Sequence, residues 1–290
     1  MTDSWRGLLL AGGKGTRLYP MTSIVSKQLQ PIYNKPMVYY SLTTLMLAGV
    51  REVMVISSPE DIPRFQTLLG DGERWGMHIA YGVQDEPRGI ADAFNVGADW
   101  VTGHRSMLML GDNLIYGRLD FMRDAVAAHT DGATVFGYEV ADPRAFGVVE
   151  FDEQFNVLSL EEKPEKPKSS WAVPGLYLYG DDVVDRTRAL QPSARGELEI
   201  TDLNRSYLAD GALKAKPMGR GIAWLDTGTP ENLLQASSFV HAIETRQGLI
   251  IGCPEEAAYR SGFIDDAGLA RAIDTLPNCP YRDYVSRLLG

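Results

Sequence analysis

Residues 8–27 read Leu-Leu-Leu-Ala-Gly-Gly-Lys-Gly-Thr-Arg-Leu-Tyr-Pro-Met-Thr-Ser-Ile-Val-Ser-Lys, and their types and spacing suit phosphate binding. Gly12, Gly13 and Gly15 let backbone N–H groups approach a polyanion without Cβ clashes, while Lys14 and Arg17 bring positive charge to the same turn. Carboxylates able to hold a divalent cation stand far downstream. Asp112 follows the apolar run 107–110, and Asp226 follows Trp224-Leu225. Mg²⁺ is usually held by one or two carboxylates together with substrate phosphates, and two lone acids from distant segments fit that habit. Taken singly, each acid is equally well read as a turn aspartate, and the glycines as a plain turn.

These groups need a scaffold. Four apolar residues before a Gly pair read as a strand buried on both faces of a parallel sheet. Residues 8–11, 52–57, 78–83 and 107–110 are predicted strands, and 37–48, 62–69 and 90–100 are predicted helices, with Gly49 at a helix end. This alternation implies right-handed βαβ units, and an acid just past a buried strand then sits at the carboxyl edge where α/β proteins bind ligands. After about residue 130 the rhythm changes: 133–140, 148–151, 157–161 and 175–179 are strand-like, predicting hairpins or a mixed sheet. Helices are predicted over 181–189, 199–209 and 230–245, a short strand over 223–225, and a helical tail from Glu255.

The 290 residues suffice for a large core without a disulfide or structural metal. The two cysteines, Cys253 and Cys279, show no CxxC spacing and are read as two buried, reduced thiols. No apolar stretch approaches the roughly 20 residues of a membrane helix, and no signal peptide is visible, so a cytoplasmic location is expected. The net charge of −10 argues against a nucleic-acid surface, though not against a nucleotide.

Two common owners of glycine loops fail on spacing. A P-loop requires Gly-Lys followed by Ser or Thr, and here Gly15 follows Gly13-Lys14. A dinucleotide fingerprint requires a third Gly where Leu18 stands, and an acid where the chain has Ser57-Ser58-Pro59. The longer pattern Leu10-Ala11-Gly12-Gly13-x-Gly15-Thr16-Arg17-Leu18-x-Pro20, followed by Ser26-Lys27 and Lys35-Pro36, resembles the signature of the sugar-1-phosphate nucleotidyltransferases. The runs 84–91, 110–113, 146–150, 160–164, 195–202, 223–229, 246–249 and 253–256 are similar to the thymidylyl-transferring, glucose-1-phosphate-using branch of that family, in the same order over nearly the whole chain.

The resemblance implies a Rossmann-like α/β fold: a mixed, mostly parallel sheet flanked by helices, with a nucleotide half over about 1–130 and a β-rich sugar half over about 131–250. A helical appendage over 251–290 completes the expected chain. It further implies dTTP and glucose 1-phosphate as substrates, Mg²⁺ as cofactor and a homotetramer, with deoxysugar synthesis downstream. Arg17, Lys27, Asp112, Lys163 and Asp226 become the expected catalytic residues, with Asp112 and Asp226 on the metal. Leu10, Gly12, Gly13, Gly15, Thr16, Gln28, Gln84, Pro87 and Gly89 are expected around the nucleotide. Gln84 carries the amide donors and acceptor that reading a pyrimidine edge requires. Phe146, Gly147, Glu162, Lys163, Val173 and Tyr177 are expected around the sugar phosphate, with Trp224 beside the metal aspartate. Phe146 departs from the family pattern, where Tyr is usual, and the lost hydroxyl predicts a broader sugar preference.

Overall fold

A computed structural model of the chain describes residues 5–13 and 15–290, so Lys14 of the phosphate turn lies outside the described residues. The first half runs β1 (Arg6–Leu10), β2 (Pro31–Ile32), β3 (Lys35–Pro36), α1 (Val38–Leu47), β4 (Glu52–Ser57), α2 (Ile62–Leu69), β5 (His78–Val83), α3 (Ala93–Val96), α4 (Ala98–Val101), β6 (Ser106–Leu110), β7 (Asn113–Tyr116) and α5 (Asp120–Ala128). Then come β8 (Ala133–Glu139), β9 (Gly147–Phe151), β10 (Val157–Glu162), β11 (Trp171–Ala172), β12 (Leu176–Tyr179), α6 (Val183–Ala189), α7 (Ile200–Ala209), β13 (Leu213–Pro217), β14 (Ala223–Asp226) and α8 (Pro230–Gln247). Three helices, α9 (Pro254–Arg260), α10 (Asp266–Asp274) and α11 (Pro280–Ser286), close the chain.

The central sheet has the order β10-β9-β11-β8-β12-β6-β1-β4-β5, with β13 paired to β8. β1 lies parallel between β4 and β6, with Leu8 level with Met54 and Leu108. Alternation along β1 explains the apolar run. Leu9 packs into the core shared with α1, α2, α5 and α9, whereas Leu8 and Leu10 face the core shared with α3, α4, α6 and α7. Burying one such leucine contributes about 1.5–3 kcal/mol, so a strand covered on both faces has no polar alternation.

β12 is the pivot of the sheet, antiparallel to both β6 and β8. From there β11 and β10 also run against the rest, while β8, β9 and β13 keep the direction of β1. The sheet is therefore mixed and mostly parallel, with helices on both faces, as the sequence implied.

Several details differ from the sequence reading. The segment read as one helix over 90–100 is two short helices, α3 and α4, broken at Gly97. Residues 113–116, 120–128 and 213–217 form β7, α5 and β13, which the pattern of the chain did not disclose. Both cysteines are free thiols, but only Cys253 is buried; Cys279 is partly exposed because it caps α11 at the rim of the C-terminal helices. No helix among the described residues is long and apolar enough to cross a membrane.

Candidate active site

The carboxyl ends of β1 and β6 open into a cleft of about 610 Å³. Leu10, Gly12, Gly13, Arg17, Gln84, Pro87, Gly89, Asp112, Phe146, Gly147, Glu162, Lys163, Val173, Tyr177, Trp224 and Asp226 all line it. Residues read from both halves of the sequence thus share one space. Gly15, Thr16, Lys27 and Gln28 stand just outside this lining.

The two acids meet through strand pairing. Asp112 lies in the turn between β6 and β7, and β7 pairs antiparallel with β14 so that Asn113 is opposite Asp226. Lys27 donates from Nζ to Asp112 Oδ2 at 2.6 Å, and Asn113 Nδ2 donates to Oδ1 at 2.8 Å. The carboxylate is held from both sides. Asn113 is itself fixed, because its Oδ1 accepts from Trp224 Nε1 at 2.7 Å and from the Gly175 N–H at 3.0 Å. Thr227 Oγ1 donates to the Asp112 carbonyl at 2.8 Å, tying the end of β14 to the same turn.

Arg17 reaches this cluster from the turn after β1. The Cβ position of Gly228 has Asp226 Oδ2 at 2.9 Å and Arg17 Nη2 at 3.0 Å, so the guanidinium and the carboxylate flank one glycine. Burial and then the nearby Asp112 charge raise the pKa of Asp226; the charges of Lys27 and Arg17 oppose that rise. Two carboxylates converging at the cleft are the donor set that, together with substrate phosphates, usually holds a divalent cation.

On one side of the cleft, Gln84 is buried and donates from Nε2 to Asp92 Oδ2 at 2.9 Å. Its Oε1 lies 3.5 Å from the Cβ position of Gly12. Gly89 has φ +105°, and a Cβ there would stand 2.4 Å from the Leu198 carbonyl oxygen, so only glycine fits. Gln28 is buried, donates to the Gly12 carbonyl at 3.2 Å and leaves its Oε1 without a partner. Thr22 Oγ1 donates to the Gly15 carbonyl at 2.9 Å, bracing the turn, while Thr16 is exposed.

On the other side, Thr201 Oγ1 donates to Glu162 Oε2 at 2.6 Å, and Lys163 Nζ lies 3.0 Å from Glu162 Oε1. Lys163 has φ +43°, a left-handed backbone value that is strained for a non-glycine residue, and its N–H donates to the Phe146 carbonyl at 3.0 Å. Phe146 packs on Trp224 with ring centroids 5.0 Å apart. Burial, then the charges of Glu162 and Asp112, push the Tyr177 hydroxyl well above its ordinary pKa, so it stays a neutral donor.

Sequence reasoning assigned no role to Arg195, Glu197, Glu199, Thr201 and Asn204, which form the cleft wall at the start of α7. Arg195 Nη2 contacts both Glu199 oxygens, at 2.8 and 2.9 Å. The clustered charges just before a predicted helix were the available signal.

A strand-edge cleft with a cationic glycine turn, paired acids and a polar sugar-sized wall defines a nucleotidyl-transfer site. The nucleotidyl transferase family model matches residues 6–243, and the chain belongs to that family. Among its relatives, the glucose-1-phosphate thymidylyltransferase of Neisseria gonorrhoeae is 52% identical over 98% of this chain and 99% of its own length. The glucose-1-phosphate thymidylyltransferase of Mycobacterium tuberculosis is 50% identical at the same coverages. A solved structure from Bacillus anthracis, described as a candidate glucose-1-phosphate thymidylyltransferase with sucrose bound, superposes with a TM-score of 0.76. It is 37% identical and covers 81% of this chain and 95% of its own. A UDP-glucose pyrophosphorylase structure, 21% identical with a TM-score of 0.72 over 82% of this chain and 99% of its own, shares the fold.

Proposed function

We propose that the protein joins dTTP to α-D-glucose 1-phosphate, giving dTDP-glucose and pyrophosphate. The observation that carries this reading is that Arg17, Asp112 and Asp226, with Lys27 paired to Asp112 from outside the lining, share one cleft with a glycine turn and a polar wall. A phosphate oxygen of the sugar phosphate attacks the α-phosphorus, a new P–O bond forms, and the bond to the β-phosphate breaks in line. Positioning and charge neutralisation supply most of the rate in such a transfer.

Gly12 and Gly13 present backbone donors to the triphosphate, and Arg17 and Lys27 neutralise the α-phosphate and the departing pyrophosphate. Lys163 and the neighbouring Arg195 meet the sugar phosphate, while Glu162, Tyr177 and the 147 and 173 backbone address the sugar hydroxyls. Asp112 and Asp226 would hold Mg²⁺, which supplies Lewis-acid charge to the reacting phosphates. Asn113 and Lys27 keep Asp112 oriented for that duty.

The same reading gives residues 1–250 as the catalytic unit with 251–290 as a helical appendage. It also gives a homotetramer in the cytoplasm, feeding deoxysugar synthesis; the support for these points is the family resemblance. Pyrophosphate release measured with dTTP, UTP, CTP, ATP and GTP, each with glucose 1-phosphate and Mg²⁺, tests the function. Turnover is expected with dTTP foremost, and no turnover with any triphosphate removes the reading.

A further inference from the structure

Asp92 precedes α3 and is almost fully buried, yet its carboxylate serves the wall of the cleft. Its Oδ2 accepts from Gln84 Nε2 at 2.9 Å and from Arg88 Nε at 3.3 Å, and its Oδ1 accepts from Asn95 Nδ2 at 3.1 Å. A carboxylate oxygen accepts hydrogen bonds and cannot donate them. The amide of Gln84 is therefore held with its NH₂ group against Asp92 and its carbonyl oxygen turned away. That oxygen lies beside Gly12, where the missing side chain leaves the cleft open.

We infer that Asp92 is a positioning residue that sets the hydrogen-bond polarity of the base pocket: it holds the Gln84 amide so that its carbonyl oxygen, an acceptor, faces the nucleobase. The inference rests on the nucleotidyl-transfer reading, with Gln84 facing the base. A 4-oxo pyrimidine carries a ring N–H that satisfies this acceptor. A 4-amino pyrimidine places an unprotonated ring nitrogen there, leaving two acceptors facing each other in a buried site. Sites that hydrogen-bond a specific group discriminate far more strongly than apolar pockets do.

The test compares dTTP with 5-methyl-dCTP, which keeps the size and the methyl group but reverses the polarity of that edge. For the wild-type enzyme, kcat/KM with 5-methyl-dCTP is expected at least tenfold below that with dTTP; a smaller gap overturns the inference. In Asp92→Asn the side-chain amide can donate as well as accept, so Gln84 is free to turn. The ratio of the two kcat/KM values is then expected to fall at least fivefold. An active Asp92→Asn enzyme with an unchanged ratio overturns the inference, since a merely structural role would weaken both triphosphates alike. Should that variant fail to fold, N3-methyl-dTTP with the wild-type enzyme decides. Loss of the ring N–H must lower kcat/KM at least tenfold, and retention of activity overturns the inference. No pyrophosphate release from dTTP by the wild-type enzyme would instead remove the nucleotidyl-transfer reading, and this inference with it.

Discussion

Lys27 and Asp112, 85 residues apart in the chain, form an ion pair with Nζ and Oδ2 separated by 2.6 Å, the ammonium almost buried and the carboxylate reaching the cleft. The contact joins the loop after the glycine turn to the end of β6. Lys27 does not itself line the cleft; the pair brings its charge to the Asp112 carboxylate, which does.

Replacing Lys27 with Met keeps the aliphatic stem and removes the charge. On the proposed mechanism kcat should fall by about 10²–10³, the usual effect of losing one preorganised electrostatic group. KM for the sugar phosphate should change little. Steady-state pyrophosphate release measures both, and a fall in kcat under tenfold would contradict the role.

Asp226→Asn should uncouple stability from activity. A carboxyl whose pKa is raised by folding opposes the folded state once it ionises, so its unfavourable contribution grows as pH rises above the ordinary value of 3.8. At neutral pH, without divalent cation, the Asn variant should be more stable while turnover is lost. Thermal melting across pH 4 to 8 checks the sign; a lower melting temperature at pH 7 would refute it.

Phe146 rests against Trp224 in the cleft wall. Phe146→Tyr adds a hydroxyl and should narrow the choice among glucose, galactose and mannose 1-phosphates, by about tenfold in relative kcat/KM. Identical selectivity in the two proteins would show that this position does not read the sugar.

Lys35 and Glu244 form a buried ion pair at 2.8 Å that fastens the β2–β3 hairpin to α8. Glu244 also accepts from Asn34 Nδ2 at 2.8 Å and from the Ile251 N–H at 2.9 Å. Burial lowers the Lys35 pKa, and Glu244 is the partner that opposes this. Glu244→Ala leaves that ammonium buried without its counter-charge, with Asn34 Oδ1 as a remaining acceptor, and should cost about 3 kcal/mol in denaturant unfolding. A loss below 1 kcal/mol would mean that water or another acceptor replaces the carboxylate.

His129 is buried, with Nδ1 3.1 Å from Thr134 Oγ1, and its pKa is pushed down to about 4 by burial and by the charges of Arg105 and Lys214. The unfolded chain therefore binds the proton first, and stability should fall as pH drops from 6.5 toward 4, by about 1.4 kcal/mol per unit from this group. His129→Gln should flatten that slope in unfolding measured between pH 4 and 7. An unchanged slope would place the acid sensitivity elsewhere.

Much of the fold was legible because its signals are local. Residues 52–57, 62–69 and 78–83 read correctly to the residue, since a short run rich in apolar residues and the single apolar face of a surface helix are both local signals. β7 and β13 were not legible. Their residues look like loops until the neighbouring strand, β14 for β7 and β8 for β13, supplies hydrogen bonds from far along the chain.

The candidate site divides in the same way. By itself the sequence determined the glycine turn, the acids at strand ends and the charges around 162–163, because side-chain chemistry and spacing are written in the chain. Only the tertiary structure decided that Asp112 and Asp226 become neighbours, since that depends on the register of β7 against β14. It alone aimed the Gln84 amide with Asp92 and set Arg195, from the loop before α7, and Thr201, from its first turn, in the cleft wall. Direction is a property of packed elements and their hydrogen-bond partners, and no run of residues carries it alone.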